Sequence, residues 1–179
     1  MVCGDEDIGQ TSLINRFLYG TFNENEKPVN VNPKNPVQEN IRIGEAEICL
    51  EIVDERPDYG SSPYEFIVVK AIIGVYDMTD PETLTNVKHW MEMCDRYMSN
   101  DKYGRYLCGT KSDLESKVSD DEVREMMEKC RITKLYQVSA KTGEGVKEMF
   151  EEVISEYFER EGLKLNGKPK KENGGCVIN

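Results

Sequence analysis

Short apolar runs of strand length alternate with segments of helical period along most of this chain, and no other feature limits the fold as much. Ala71-Ile72-Ile73-Gly74-Val75-Tyr76 is a continuous apolar run, the pattern of a strand covered on both faces. Ile48 to Val53, Arg105 to Gly109 and Leu135 to Val138 are further strand candidates. Between them, Pro81 to Tyr97 carries Leu84, Val87, Trp90, Met91 and Cys94 at three- and four-residue spacing, with Asp80 as a cap before a proline. Ser119-Asp120-Asp121-Glu122 is a capping-box pattern ahead of Val123, Met126 and Met127. Val146, Met149, Phe150, Val153, Ile154 and Tyr157 form a third apolar stripe. Strands alternating with helices predict an α/β domain: a mostly parallel sheet with helices on both faces.

The chain has 179 residues, enough for one domain with a sizeable core, and a formal net charge of −11. That acidity argues against nucleic acid as a partner, since phosphate neutralisation needs clustered Lys and Arg. No stretch approaches the ~18 apolar residues of a spanning helix, and Met1-Val2-Cys3-Gly4 does not read as a signal peptide. The six cysteines, at 3, 49, 94, 108, 130 and 176, form no C-x-x-C pair, and there is one His. Reduced thiols in the cytoplasm are expected, without disulfides or a zinc site.

Residues 162–179 change character, becoming rich in Gly, Asn and Lys, and predict a flexible basic tail after a domain of 1–161. At the other end only Met1, Val2 and Cys3 precede Gly4, so the first strand is either stunted or part of a longer polypeptide.

Gly4-Asp5-Glu6-Asp7-Ile8-Gly9-Gln10-Thr11-Ser12 fits the phosphate-loop pattern G-x-x-x-x-G-K-[ST] except at the lysine, where Gln10 stands. Such a loop holds phosphate through backbone N–H groups and a helix N-terminus, while the lysine neutralises charge. The helix after it is supplied by Leu13, Ile14, Phe17 and Leu18, and Thr11 stands where a Mg²⁺-ligating hydroxyl belongs. A unit charge ~4 Å from a phosphate oxygen is worth up to ~4 kcal/mol at an effective dielectric of ~20. Its loss therefore costs on the order of a thousandfold in affinity.

Tyr76-Asp77-Met78-Thr79-Asp80-Pro81-Glu82-Thr83-Leu84, followed by Asn86-Val87-Lys88-His89-Trp90, resembles the Ras superfamily, its Rab branch above all. Gly109-Thr110-Lys111-Ser112-Asp113-Leu114 resembles the guanine-reading N-K-x-D motif with Thr for Asn, and Val138-Ser139-Ala140-Lys141-Thr142-Gly143 resembles the S-A-K loop. The resemblance implies a three-layer P-loop G domain with a six-stranded sheet. It implies that Asp113 accepts from guanine, that the stem of Lys111 covers the base, and that the S-A-K loop touches the base through a backbone N–H. The implied nucleotide site is Gly4, Asp7, Ile8, Gly9, Gln10, Thr11, Ser12, Thr110, Lys111, Asp113, Ser139, Ala140 and Lys141, with Mg²⁺ at Thr11 and Asp54.

Other positions depart from the family. Its D-x-x-G-Q becomes Asp54-Glu55-Arg56-Pro57-Asp58: Pro57 has no N–H for the γ-phosphate, and Asp58 replaces the water-orienting Gln. No Ser or Thr lies between Phe22 and Gly60 to close over Mg²⁺, and Lys27 to Pro36 holds three prolines instead. No catalytic residue of the usual kind remains.

Cys176-Val177-Ile178-Asn179 has the C-a-a-X form behind the basic Lys168-Pro169-Lys170-Lys171, as in relatives that are prenylated. His89 reads as a surface residue. The expectation is a Rab-like protein of vesicle traffic on the cytosolic face of endomembranes, anchored by Cys176 and meeting effectors through its switch face. Its guanine-nucleotide cycle is expected to be impaired, with GDP or GTP and Mg²⁺ as cofactors, or none at all. A slow GTP/GDP switch, and the inactive half of a tandem G-domain chain rather than a monomer, are the alternatives.

Overall fold

The computed structural model describes residues 1–24, 37–53, 69–97, 103–163, 165, 170–172 and 175–177. In chain order they form β1 (Val2–Cys3), α1 (Gln10–Tyr19), β2 (Val37–Ile43), β3 (Ala46–Ile52), β4 (Ala71–Asp77), α2 (Pro81–Tyr97), β5 (Gly104–Thr110), α3 (Asp120–Cys130), β6 (Lys134–Gln137), α4 (Val146–Arg160), β7 (Lys170–Glu172) and β8 (Gly175–Val177). β1, β4, β5 and β6 lie side by side in that order, all parallel, with Val2 opposite Ile73 and Ile73 opposite Tyr106.

Period-2 alternation explains why this sheet is covered twice. On one face Ile73 and Val75 of β4 and Tyr106 and Cys108 of β5 meet Leu13 and Ile14 of α1 and Met149, Phe150 and Val153 of α4. On the other, Ile72, Tyr76 and Leu107 meet Leu84, Val87, Met91 and Cys94 of α2 and Val123 and Met126 of α3. Each fully buried side chain of this size contributes about 1.5–3 kcal/mol, whereas an exposed ion pair such as Lys88–Glu92 contributes about 0–1 kcal/mol. The two apolar layers therefore set the architecture, and the surface charges decorate it.

The sequence predicts six strands in a mostly parallel sheet, and they are present as four plus two. β2 and β3 form an antiparallel hairpin, with Ile41 opposite Ile48 and left-handed Gly44 (φ 58°) in its turn. At the end of this hairpin Val2 of β1 donates its backbone N–H to the Val53 carbonyl at 2.8 Å. β1 is two residues long because the chain turns away at Gly4, so it has little ladder to offer on that side. β2 is an element not singled out in the sequence, although Gln38, Asn40 and Arg42 are exposed and alternate with more buried neighbours. A third apolar cluster, Ile43, Ala46, Ile48, Ile154 and Phe158, packs the hairpin on the end of α4.

The tail differs from a plain linker at its start. Leu163 donates its backbone N–H to the Phe158 carbonyl at 2.8 Å, and Leu163 and Leu165 pack against the third cluster. Further on, β7 and β8 pair antiparallel.

Two glycines show where the packing leaves no room. A Cβ on Gly4 would sit 2.5 Å from Ile8 Cδ1 and 2.6 Å from the Val75 carbonyl oxygen, which is fixed in the sheet. A Cβ on Gly74 would meet the terminal methyl of Met91 at 2.7 Å and Val87 Cγ1 at 3.2 Å, side-chain atoms that can shift. Gly4→Ala should therefore destabilise by about 1–3 kcal/mol, and Gly74→Ala by less. Thermal unfolding followed by circular dichroism checks the order, which the opposite ranking would refute.

Candidate functional site

The loop between β1 and α1 turns on two left-handed residues, Asp7 (φ 60°) and Gly9 (φ 95°). Gly9 is the N-cap of α1 and makes no side-chain capping bond, and α1 has no acid in its first turn. The other described helices each have one: Glu82 in α2, three acids in α3, Glu148 in α4. An uncapped helix start without a local acid suits an anion. The loop's own acids go elsewhere. The Asp5 carboxylate accepts from Asn86 Nδ2 and from Trp90 Nε1, both at 2.8 Å and both on α2, while Glu6 and Asp7 are exposed.

Gln10 does not reach outward. Its side chain is buried, and in the amide orientation that satisfies both ends the oxygen accepts from Gly4 N–H at 2.9 Å and the nitrogen donates to the Asp5 carbonyl at 3.0 Å. The residue in the lysine position thus closes the loop on itself with two neutral hydrogen bonds.

The Thr110–Asp113 motif meets this loop at the ends of β4 and β5. Thr110 is 2% exposed, and its hydroxyl lies 2.7 Å from the Ile8 carbonyl and 3.1 Å from that of Tyr76. Thr110 therefore ties the phosphate loop to two strands although Asn is missing. Lys111, left-handed at φ 60°, places Nζ 2.5 Å from Asp77 Oδ2 and 3.5 Å from the Asp7 carbonyl. Burial alone would raise the pKa of Asp77; the Lys111 hydrogen bond and those from the Thr79 backbone and hydroxyl outweigh it and hold the carboxyl below its ordinary value. Asp113 accepts from the fully buried Ser139 Oγ at 2.6 Å, and Ser139 Oγ in turn accepts from Thr142 N–H at 3.1 Å.

Arg16, which no motif marked, holds the S-A-K loop against α1. Its guanidinium donates from Nε to the Ala140 carbonyl at 2.6 Å, from Nη2 to that of Lys141 at 2.8 Å, and from Nη1 to that of Gly20 at 2.6 Å. A planar fork with five donors suits three converging carbonyls. Its only sequence signal is a basic residue in the last turn of α1.

These elements enclose a cavity of about 320 Å³ lined by Asp7, Ile8, Gly9, Ser12, Phe22, Glu24, Thr110, Lys111, Asp113, Leu114, Ala140 and Lys141. Nine of them are implied site residues; Leu114 ends the 109–114 motif but was given no role, and Phe22 and Glu24 were missed because their loop has no spacing signature. Gly4, Gln10, Thr11 and Ser139 stand behind the lining, in the loop, in the first turn of α1 and in the S-A-K loop. Asp54, Pro57, Asp58 and the 27–36 stretch lie outside the described residues. Of the expected Mg²⁺ partners only Thr11 is described, and no group of three acidic, His or Cys side chains suited to a metal occurs among the described residues. Cys176 falls on β8. No described helix is long and apolar enough to cross a membrane.

The cavity thus joins the loop before α1 to the Thr110–Asp113 turn and the 138–143 loop, in the order along the chain that the motifs announced. A model of the family described as Ras matches residues 1–159. The chain belongs to the Ras family. Among Ras-family relatives, Ras-related protein Rab-18 of Caenorhabditis elegans is 27% identical over 172 residues, spanning 94% of this chain and 84% of that protein. GTP-binding protein YPT52 of Saccharomyces cerevisiae is 25% identical over 207 aligned positions, spanning 98% and 88%. This member is Rab-like, in agreement with the motif at 76–90.

Two outcomes are expected from the site's geometry. Arg16→Met should leave the fold intact and speed hydrogen exchange at 139–143, since three carbonyls lose their common donor; unchanged exchange would refute the clamp. A carboxyl held below its ordinary value gives stability that is present above the unfolded pKa, near ~4, and is lost as pH falls through the folded one. Asp77→Asn should therefore flatten the decline in melting temperature at acid pH, checked by melts from neutral pH downward.

Proposed function

We propose that this Rab-like protein keeps the guanine-reading half of the Ras-family site, has an impaired nucleotide cycle, and serves vesicle traffic mainly as a membrane-tethered interaction module. The observation that carries this reading is Gln10, turned back onto Gly4 and Asp5 where the family's lysine would face phosphate. Backbone donors at the start of α1 still suit an anion, so GDP or GTP is bound weakly, with Thr11 and Asp54 as the residues that would hold Mg²⁺. That ion would neutralise phosphate charge when bound. Asp113 and Lys111 line the cavity, which supports a base-reading role for them. Pro57 and Asp58 support loss of hydrolysis, since one lacks an N–H and the other is an anion in place of an amide.

Attachment to the cytosolic face of endomembranes would come from prenylation of Cys176, helped by Lys168, Lys170 and Lys171. A single lipid chain binds only reversibly, so the basic residues are the second signal. Effector proteins would meet the switch face of the Ras-like fold. A slow GTP/GDP switch is the second reading, and Thr110 favours it, because the loop stays seated on β4 and β5 without the family's Asn.

Calorimetric titration with GDP and a non-hydrolysable GTP analogue, in Mg²⁺, tests the proposal against Gln10→Lys. Restoring the charge should tighten binding by two to three orders of magnitude, roughly the ~4 kcal/mol of one close charge pair. Equal affinities, or GTP turnover at the rate of ordinary relatives, would overturn the impaired cycle and favour the slow switch.

A further inference from the structure

The cavity's charges suggest more than weakness towards nucleotides. Asp7, Glu24 and Asp113 bring three carboxylates to the lining, against two lysines. Neither lysine is uncommitted: Lys111 Nζ is 2.5 Å from Asp77 Oδ2, and Lys141 Nζ is 2.9 Å from Glu24 Oε1. The Gln10 amide, in the position that would face the outer phosphates, is spent on the Gly4 N–H and the Asp5 carbonyl. Among the described residues, then, every cation of the lining is already matched by a carboxylate. Among the described residues, each further phosphate on a ligand adds negative charge that no uncommitted cation of the lining answers, next to Asp7 and Glu24.

The base end is built differently. Ser139 fixes the Asp113 carboxylate at 2.6 Å, Arg16 fixes the carbonyls of Ala140 and Lys141, and Phe22 and Leu114 supply apolar lining. These contacts owe nothing to phosphate. A volume of about 320 Å³ lies at the small end of ligand pockets, which run from about 300 to 1,000 Å³.

We infer that the natural ligand class of this cavity is a guanine nucleoside or its monophosphate, and that affinity here does not rise with phosphate number. The inference rests on the guanine-site reading above and goes further, because it removes the di- and triphosphate as the preferred ligands. The backbone donors of the loop offset the added repulsion without exceeding it, so the series is flat. Gln10 is the residue that flattens it, and a lysine there would restore the slope.

The test is a calorimetric series of guanosine, GMP and GDP, with adenosine as the control, on the full chain and on Gln10→Lys. The wild type should bind the three guanine ligands within about tenfold of one another and adenosine at least tenfold more weakly. Gln10→Lys should favour GDP over GMP by about a hundredfold or more, since one added charge pair is worth that much. A second variant, Glu24→Gln, frees Lys141 without touching the loop before α1, and should raise GDP affinity severalfold relative to guanosine. GDP binding a hundredfold tighter than GMP in the wild type would overturn this inference and leave the guanine site standing. Equal binding of adenosine, or no binding of any guanine ligand, would overturn both. Melting curves of both variants establish that they are folded.

Discussion

One buried hydroxyl holds the site together. Thr110 ends β5, and its Oγ1 lies within hydrogen-bond distance of the Ile8 carbonyl in the phosphate loop and of the Tyr76 carbonyl in β4. Three chain segments that are far apart in sequence meet at that oxygen. With an apolar side chain there, the one O–H shared between these carbonyls would be lost, at a cost of about 1–3 kcal/mol for a buried carbonyl left without its donor. The placement of Lys111 and Asp113 follows from it, because they continue directly from the strand end that Thr110 pins.

The two halves of the cavity are satisfied by opposite means. At the Asp113 end, side chains fix the lining groups: Ser139 holds Asp113, and Arg16 holds the Ala140 and Lys141 carbonyls. At the loop end, pairing has turned inward, with Gln10 meeting the loop's own backbone. A lysine in that position carries charge outward to a ligand; an amide has both a donor and an acceptor and can complete a closed pair at home. Gln10 thus leaves the Gly4 N–H and the Asp5 carbonyl of the loop paired within the chain itself.

Most of the architecture was legible because it rests on periodicity. The run 71–76 became β4, the stripes of Leu84 to Cys94 and Val146 to Tyr157 became α2 and α4, and the box at Ser119 caps α3 with both of its reciprocal bonds. The loop and the base motifs were legible as words with fixed spacing. What stayed hidden was contact across long separations in sequence. Nothing near Arg16 announces carbonyls 124 and 125 residues away, and nothing near Asp5 announces Asn86 and Trp90. Thr stands for the family's Asn at 110, and nothing in the motif announces that its hydroxyl reaches the Ile8 and Tyr76 carbonyls. β2 went unnoticed since its seven residues mix Glu, Asn and Arg with their isoleucines, a weak signal for an edge strand.

The bond between Trp90 and Asp5 has a consequence beyond stability. Trp90 is the chain's single tryptophan, and its indole N–H rests on a carboxylate of the phosphate loop at 2.8 Å. One chromophore is therefore wired to the one segment whose position matters most for a ligand. Light emitted by this protein on excitation of tryptophan comes from that junction alone, so it reads the posture of the loop without any label. A partner pressing on α2 and a small molecule entering the cavity would pull on the same indole from opposite sides, and the molecule carries its own optical gauge of both.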